Sequence, residues 1–216
     1  MLQILIADDH DVARSGIRAL LENHAGWQVC GEAKDGREAV ELAASLNPDL
    51  ILLDIGMPNL NGLEAARQIL TTSPGASILI LTMHDSAQLV REVLRAGARG
   101  FLLKSDAGRD LIAAVEALEQ RRTFFTTKVS QMVLSGFLNR DDVADSADNE
   151  NVLTAREREV IQLLAEGKTS KEVAVTLNLS IKTAETHRTN LMRKLDLHSV
   201  ADLTRYAVRN GIVHVF

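Results

Sequence analysis

Three acidic side chains, Asp8, Asp9 and Asp11, close the short apolar run ILIADDHD at residues 4–11. Carboxylates this close repel and raise one another's pKa, so the cluster is costly unless a cation or a proton offsets it. A divalent metal is the obvious candidate, and Mg2+ is a hard ion that takes oxygen ligands and acts with phosphate groups. Three more reactive side chains also close apolar runs: Asp54 ends LILLD, Thr82 ends SILILT and Lys104 ends GFLLK. Together these groups suit phosphoryl transfer, where catalysis is chiefly positioning and electrostatic stabilisation of oxygens in line. Asp54 is then the nucleophile, giving an acyl phosphate. Asp8 and Asp9 would hold the metal, Lys104 would pair with phosphoryl oxygens as a point charge, and Thr82 would donate a hydrogen bond to the same group. No histidine or second base stands beside Asp54 in sequence, so a durable phospho-Asp fits as well as rapid turnover.

The elements that must position these groups follow from periodicity. Candidate strands at 2–7, 27–32, 50–54, 77–82 and 100–104 alternate with helical faces such as Leu63/Ala66/Ile69/Leu70, Leu89/Val90/Val93/Leu94 and Leu111/Ile112/Val115/Leu118. Repeated strand-helix units with near-continuous apolar strands predict a doubly wound α/β domain, a parallel sheet with helices on both faces, over residues 1–120. In such sheets ligands bind outside the carboxyl ends of the strands, where Asp8, Asp9, Asp54, Thr82 and Lys104 fall. Residues 121–150 read as a linker: TTKVSQMVLSGFL has helical potential, whereas NRDDVADSADNEN is polar, acidic and aperiodic.

Composition sets the outer limits. The 216 residues are 46% hydrophobic and 25% charged, ordinary for a globular chain with a packed core, and suffice for two modest domains. A single cysteine, Cys30 in WQVCGEA, reads as core and allows no internal disulfide. The first apolar run has no basic flank and is cut by Asp8, so no signal peptide or membrane span is expected and the cytoplasm is the expected compartment. Charge is uneven: residues 1–130 carry 13 Lys/Arg against 17 Asp/Glu, residues 131–150 carry 1 against 5, and residues 151–216 carry 10 against 7. Only the last segment has the sign to meet nucleic acid.

That segment, 151–216, reads as wholly helical. TARE at 154–157 and TSKE at 169–172 match the capping box, Gly167 is placed to end the first helix, and Ser180 is the expected N-cap of a third helix over about 181–195 after the turn LNLS. A fourth helix spans about 198–210. Short helices around a tight turn are the ingredients of a helix-turn-helix. On the third helix Ala184, His187, Leu191 and Leu195 form an inward stripe, while Lys182, Glu185, Thr186, Thr189 and Arg193 share the opposite face. A slim polar face of this kind fits the major groove. His10, His24, His84 and His214 lack metal-ligand spacing and take no role.

The first 120 residues, through ILIADDH, LILLDIGMPNLNG, ILILT and FLLK, resemble the receiver domain of two-component response regulators. The resemblance implies a five-stranded flavodoxin-like sheet of order 2-1-3-4-5 and Asp54 as phosphoacceptor. It implies Mg2+ on Asp9, Asp54 and the Gly56 carbonyl with Asp8 acting through water, and Thr82 and Phe101 as switch residues. Met83 and Ser105 depart from the small residue and the proline common in that family. Residues 152–216 closely resemble the LuxR-type helix-turn-helix, so the whole chain resembles a NarL/FixJ-type response regulator. By that analogy the chain meets double-stranded DNA through residues 169–188 and the rest of the recognition helix. Glu185, Thr186 and Thr189 face bases, while Lys182, Thr183, Arg188, Arg193 and Lys194 contact phosphates. Glu185 replaces a common Lys, and an acidic side chain there favours the cytosine amino group. The implied partners are a sensor histidine kinase and, after phosphorylation, a second copy of the chain through residues 198–210.

Two other readings compete. A metal-dependent phosphatase of the haloacid dehalogenase type wants a second Asp two positions after the nucleophile, where this chain has Gly56. A DNA-binding protein with a vestigial receiver would not need the intact acidic set. The expectation is therefore a regulator that accepts and slowly loses a phosphoryl group on its own Asp54, and not a turnover enzyme.

Overall fold

A computed structural model of the chain describes residues 1–127, 129–131 and 153–213. The acidic part of the stretch read as a linker, and His214, lie outside the described residues. The chain divides into two compact units, one holding a sheet and one the C-terminal helices.

In the first unit the strands are β1 (Leu2–Ala7), β2 (Trp27–Ala33), β3 (Leu50–Asp54), β4 (Ser77–Thr82) and β5 (Gly100–Leu103). They alternate with α1 (Asp11–Glu22), α2 (Gly36–Leu46), α3 (Gly62–Thr72), α4 (Ala87–Arg95) and α5 (Ala107–Glu119). A sixth strand, β6 (Phe124–Phe125), pairs parallel to β5, giving the order β2-β1-β3-β4-β5-β6 rather than the expected five strands. Two residues carry no readable alternation, and only the exposed edge of β5 makes them a strand. Lys104 likewise falls just past β5, in a 3-10 turn over Lys104–Asp106.

Each central strand is apolar at almost every position because alternate side chains feed two different cores. Leu5, Ile51, Leu53, Ile78 and Ile80 pack with α2, α3 and α4 through Ala39, Ala43, Ala66, Ile69, Val90 and Val93. Ile4, Ile6, Leu50, Leu52, Leu79 and Leu81 pack on the other face with α1 and α5 through Ile17, Leu21, Leu111, Val115 and Leu118. Truncating any of these buried Leu or Ile side chains to Ala costs about 2–5 kcal/mol. Cys30 is only half-buried, like its neighbours on the edge strand β2, and its thiol contacts the Ile4 carbonyl at 3.4 Å where the β1–β2 register slips.

The second unit contains α6 (Ala155–Ala165), α7 (Ser170–Thr176), α8 (Ile181–Lys194) and α9 (Val200–Arg209). Both capping boxes form, at Thr154/Glu157 and at Thr169/Glu172. Gly167 takes a φ of +86° just past α6, and Asn178 a φ of +52° in the turn between α7 and α8. Val160, Ile161, Leu163, Val173, Ala184, Leu191, Leu203 and Ala207 make its core. No described helix is long and apolar enough to cross a membrane.

Candidate phosphoryl and DNA sites

At the carboxyl ends of β1 and β3 the parallel register brings Asp8 beside Asp54, which lie 46 positions apart in sequence. Asp8 is fully buried, and Asp54 and Thr82 are nearly so. Lys104 reaches in from the end of β5, its Nζ 2.8 Å from Asp8 Oδ2 and 2.8 Å from Asp54 Oδ2. The ammonium thus offsets the like charge that the sequence crowds together. Burial pushes the Asp54 carboxyl above its ordinary range, with Lys104 pulling it back and Asp8 adding repulsion. Burial also opposes the Lys104 charge, but Asp54 and Asp8 outweigh it and hold that pKa above its usual value.

The loop after β3 is shaped around Asp54. The Gly56 amide donates to its carboxylate. Asn61 caps α3 by accepting from the Glu64 amide at 2.9 Å, and the Gly62 amide donates to the Ile55 carbonyl at 3.1 Å. A Cβ on Gly62 would stand 2.0 Å from the Asp54 carbonyl oxygen, and one on Gly36 2.1 Å from that of Leu60. Both positions therefore admit glycine alone without backbone movement. Asp35 caps α2 and accepts from Asn59 Nδ2 at 2.8 Å, tying the β2–α2 turn to this loop.

Ligand atoms of Asp8, Asp9, His10 and Asp54 all lie within 4.8 Å of one another. Opposite oxygens around an octahedral Mg2+ are about 4.2 Å apart, and three hard carboxylates are the donors that ion prefers, so the residues fit it. His10 was not singled out by spacing. Its Nδ1 lies 2.8 Å from Asp9 Oδ1 and 3.3 Å from Asp8 Oδ1, and its amide donates to Asp8 Oδ1 at 2.9 Å. Position next to Asp9 was its only signal.

Thr82 accepts from the His84 amide at 3.1 Å, while the following Met83 side chain points to solvent. Phe101 is fully buried on β5 in register with Ile80, inside the core shared with α4.

In the second unit Ser180 caps α8 by accepting from the Thr183 amide at 3.0 Å. Ala184 and Leu191 are core, and His187 and Leu195 are half-buried, as the stripe requires. Lys182, Thr183, Glu185, Thr186, Thr189, Arg193 and Lys194 are exposed, and Arg188 is half-buried. Thr186 returns its hydroxyl proton to the Lys182 carbonyl, at 2.8 Å. Lys194 differs from the rest of this set, with Nζ 2.8 Å from Glu157 Oε2 at the start of α6. Arg156 braces the α7–α8 turn, donating to the Leu177 carbonyl at 2.8 Å and to Glu159 at 2.9 Å. On α9, Leu203 and Ala207 are core whereas Val200 and Val208 stay exposed.

A six-stranded parallel sheet with a lysine-bridged acidic pocket at its carboxyl ends, followed by a four-helix unit around a helix-turn-helix, defines a receiver joined to a DNA-binding module. Residues 4–116 match the response regulator receiver domain family, and residues 151–207 match the bacterial regulatory proteins of the luxR family. The chain is 36% identical over 216 residues to the oxygen regulatory protein NreC of Staphylococcus epidermidis, covering 98% of this chain and 99% of NreC. It is 37% identical over 214 residues to the transcriptional regulatory protein LiaR of Bacillus subtilis, covering 99% and 100%. Among solved structures, RcsB from Salmonella enterica serovar Typhimurium, bound to a promoter in the presence of the phosphomimetic BeF3−, is similar at 30% identity and a TM-score of 0.59. That match covers 95% of this chain and 97% of RcsB. The chain belongs to the two-component response regulators of the NarL/FixJ type.

Proposed function

We propose that the protein is a cytoplasmic transcription regulator that takes a phosphoryl group from a sensor histidine kinase onto Asp54 and, once phosphorylated, binds double-stranded DNA as a homodimer. The observation that carries this is the contact of Lys104 with Asp8 and Asp54, each at 2.8 Å, in a chain that also bears a helix-turn-helix. An Asp54 oxygen attacks phosphorus, the bond from phosphorus to the donor histidine nitrogen breaks, and that nitrogen keeps the electron pair. Asp8, Asp9, Asp54 and the Gly56 carbonyl would hold Mg2+, which when bound neutralises charge on the phosphoryl oxygens. Lys104 exchanges its carboxylate partner for a phosphoryl oxygen, and the Thr82 hydroxyl turns toward the same group. Thr82 and Phe101 reposition together as the switch residues, biasing a two-state face. Hydrolysis of the acyl phosphate is slow and self-directed, so the chain is not a turnover enzyme on a separate substrate.

The working division is a receiver over 1–120, a linker over 121–150 and a DNA-binding domain over 151–216. DNA is met through residues 169–188 and the rest of the recognition helix. Thr186, Thr189 and Glu185 face base edges, while Lys182, Thr183, Arg188, Arg193 and Lys194 approach phosphates. The exposed Val200 and Val208 on α9 support pairing of two copies there on a two-fold-related site.

The test is DNA binding to a genomic fragment pool at fixed salt, with and without acetyl phosphate and Mg2+, for the wild type and Asp54→Asn. Tighter binding with phosphodonor only when Asp54 is present is the expected result. Equal binding in all four conditions would reject control by the receiver.

A further inference from the structure

The guanidinium of Arg14 is a buried cation that the phosphoryl mechanism does not use. It sits on α1 with only 8% of its side chain exposed and makes three polar contacts, to α1, to β2 and to the turn between β1 and α1. Nη1 donates to the Asp8 carbonyl at 2.8 Å, Nε donates to Glu32 Oε2 on β2 at 2.9 Å, and Nη2 meets Asp11 Oδ1 at the start of α1. The neighbouring Arg18 shares Glu32 and pairs with Glu22 at 2.9 Å, but no bond takes it to Asp8.

The Asp8 carbonyl belongs to the peptide that joins Asp8 to Asp9. β1 ends at Ala7, so this carbonyl lies beyond the strand ladder, and Arg14 supplies a bond there that no strand does. On the other side of Asp8 the amide donates to the Ala33 carbonyl at 3.1 Å. The peptide planes on either side of Asp8 are therefore each held by one bond, and with them the direction in which the Asp8 side chain leaves the backbone and the course of the chain into Asp9. Glu32 and Asp11 flank Arg14 with opposite charge, so its effect on the pocket is geometric more than neutralising.

We propose that Arg14 is a positioning residue for the divalent-ion site: through the Asp8 carbonyl it fixes the Asp8 and Asp9 carboxylates in the arrangement that an ion requires. This rests on the reading of Asp8, Asp9 and Asp54 as metal holders. Outer groups that orient metal ligands typically change affinity by about 10–100-fold when removed. A lysine keeps the charge of Arg14 but has no planar fork with which to serve three acceptors in fixed directions.

Titration calorimetry of the full chain with Mg2+ alone tests it, comparing wild type, Arg14→Lys, Arg18→Lys and Asp9→Asn, each first shown by circular dichroism to be folded. Arg14→Lys is expected to bind Mg2+ about tenfold more weakly while Arg18→Lys stays within twofold of wild type. Wild-type affinity in Arg14→Lys would overturn the proposal, as would equal loss in both variants, which would report general loosening between α1 and β2. Should Arg14→Lys fail to fold, Glu32→Gln takes its place. A several-fold loss is expected as the fork loses one anchor, and unchanged affinity overturns the proposal. If the wild type binds no Mg2+, or Asp9→Asn binds it equally well, the metal-site reading itself fails, a result distinct from failure of the Arg14 assignment.

Discussion

Two buried carboxylates, Asp8 and Asp54, share one half-buried ammonium, Lys104. Removing the ammonium leaves Asp8 and Asp54 without their shared partner, and breaking a buried ion pair costs about 3–5 kcal/mol. Lys104→Met should therefore lower the stability of the sheet unit by about 3 kcal/mol in the absence of divalent ions. Mg2+ should recover part of it by taking over the ammonium's role. Urea unfolding with and without Mg2+, followed through Trp27, the single tryptophan, checks both halves. A variant as stable as wild type without ions would show that the carboxylates do not depend on Lys104. Glu185 carries a second residue-scale prediction, because a carboxylate at a base-facing position accepts from the cytosine amino group and repels phosphate. Glu185→Lys should move the preferred base from cytosine toward guanine, with discrimination of about 1–3 kcal/mol. Selection from randomised duplexes at fixed salt reads the change, and an unaltered base preference would remove Glu185 from the reading face.

Single atoms at the junctions of elements decide whether the pocket forms. Gly62 opens α3 with its Cα packed under the Asp54 carbonyl, and an added Cβ has backbone rather than a flexible side chain to displace. Gly62→Ala should cost about 1–3 kcal/mol and slow phosphorylation by acetyl phosphate. Gly108→Ala, in α5 with open space around it, should be neutral or stabilising by about 0.5–1 kcal/mol. Thermal unfolding of the two variants side by side decides the matter, and equal effects would refute the contact argument. Between α6 and α8 the element-scale tie is the pair of Glu157 and Lys194. Burial pushes the Glu157 carboxyl upward, but Lys194 and the Thr154 cap outweigh it and leave it below its ordinary value of 4.5. A depressed folded pKa stabilises above the unfolded value and loses that contribution as pH falls through the folded value. The helical unit should therefore weaken below pH 4.5, and Glu157→Gln should flatten the decline. Tyr206, the single tyrosine, reports this unit separately, and an identical acid profile in Glu157→Gln would contradict the assignment.

At the scale of the whole molecule, each unit has its own core, so the two should unfold as separate transitions read by Trp27 and Tyr206. The elements were legible because their causes are local. Buried parallel strands are apolar throughout, the hydroxyl and Glu of TARE and TSKE satisfy backbone donors within four residues, and Gly167 and Asn178 tolerate positive φ where helices stop. β6 was not legible, since Phe124 and Phe125 become a strand only by pairing with the open edge of β5.

The candidate site divides along the same line. Which residues stand at strand ends, and that three carboxylates, a hydroxyl and an ammonium recur there, is determined by the chain itself, because strand length and polarity depend on near neighbours. That Lys104 comes within 2.8 Å of Asp54 across 50 positions, and that Lys194 is held by Glu157, was decided only when the elements packed. Arg14 belongs to the second group, for although Asp11 lies at helical spacing on α1, its other partners, Glu32 on β2 and the Asp8 carbonyl in the turn after β1, are set only by how α1 packs. Long-range contacts depend on sheet order and helix crossing, which local periodicity does not encode, and burial then sets how strongly each charge is felt.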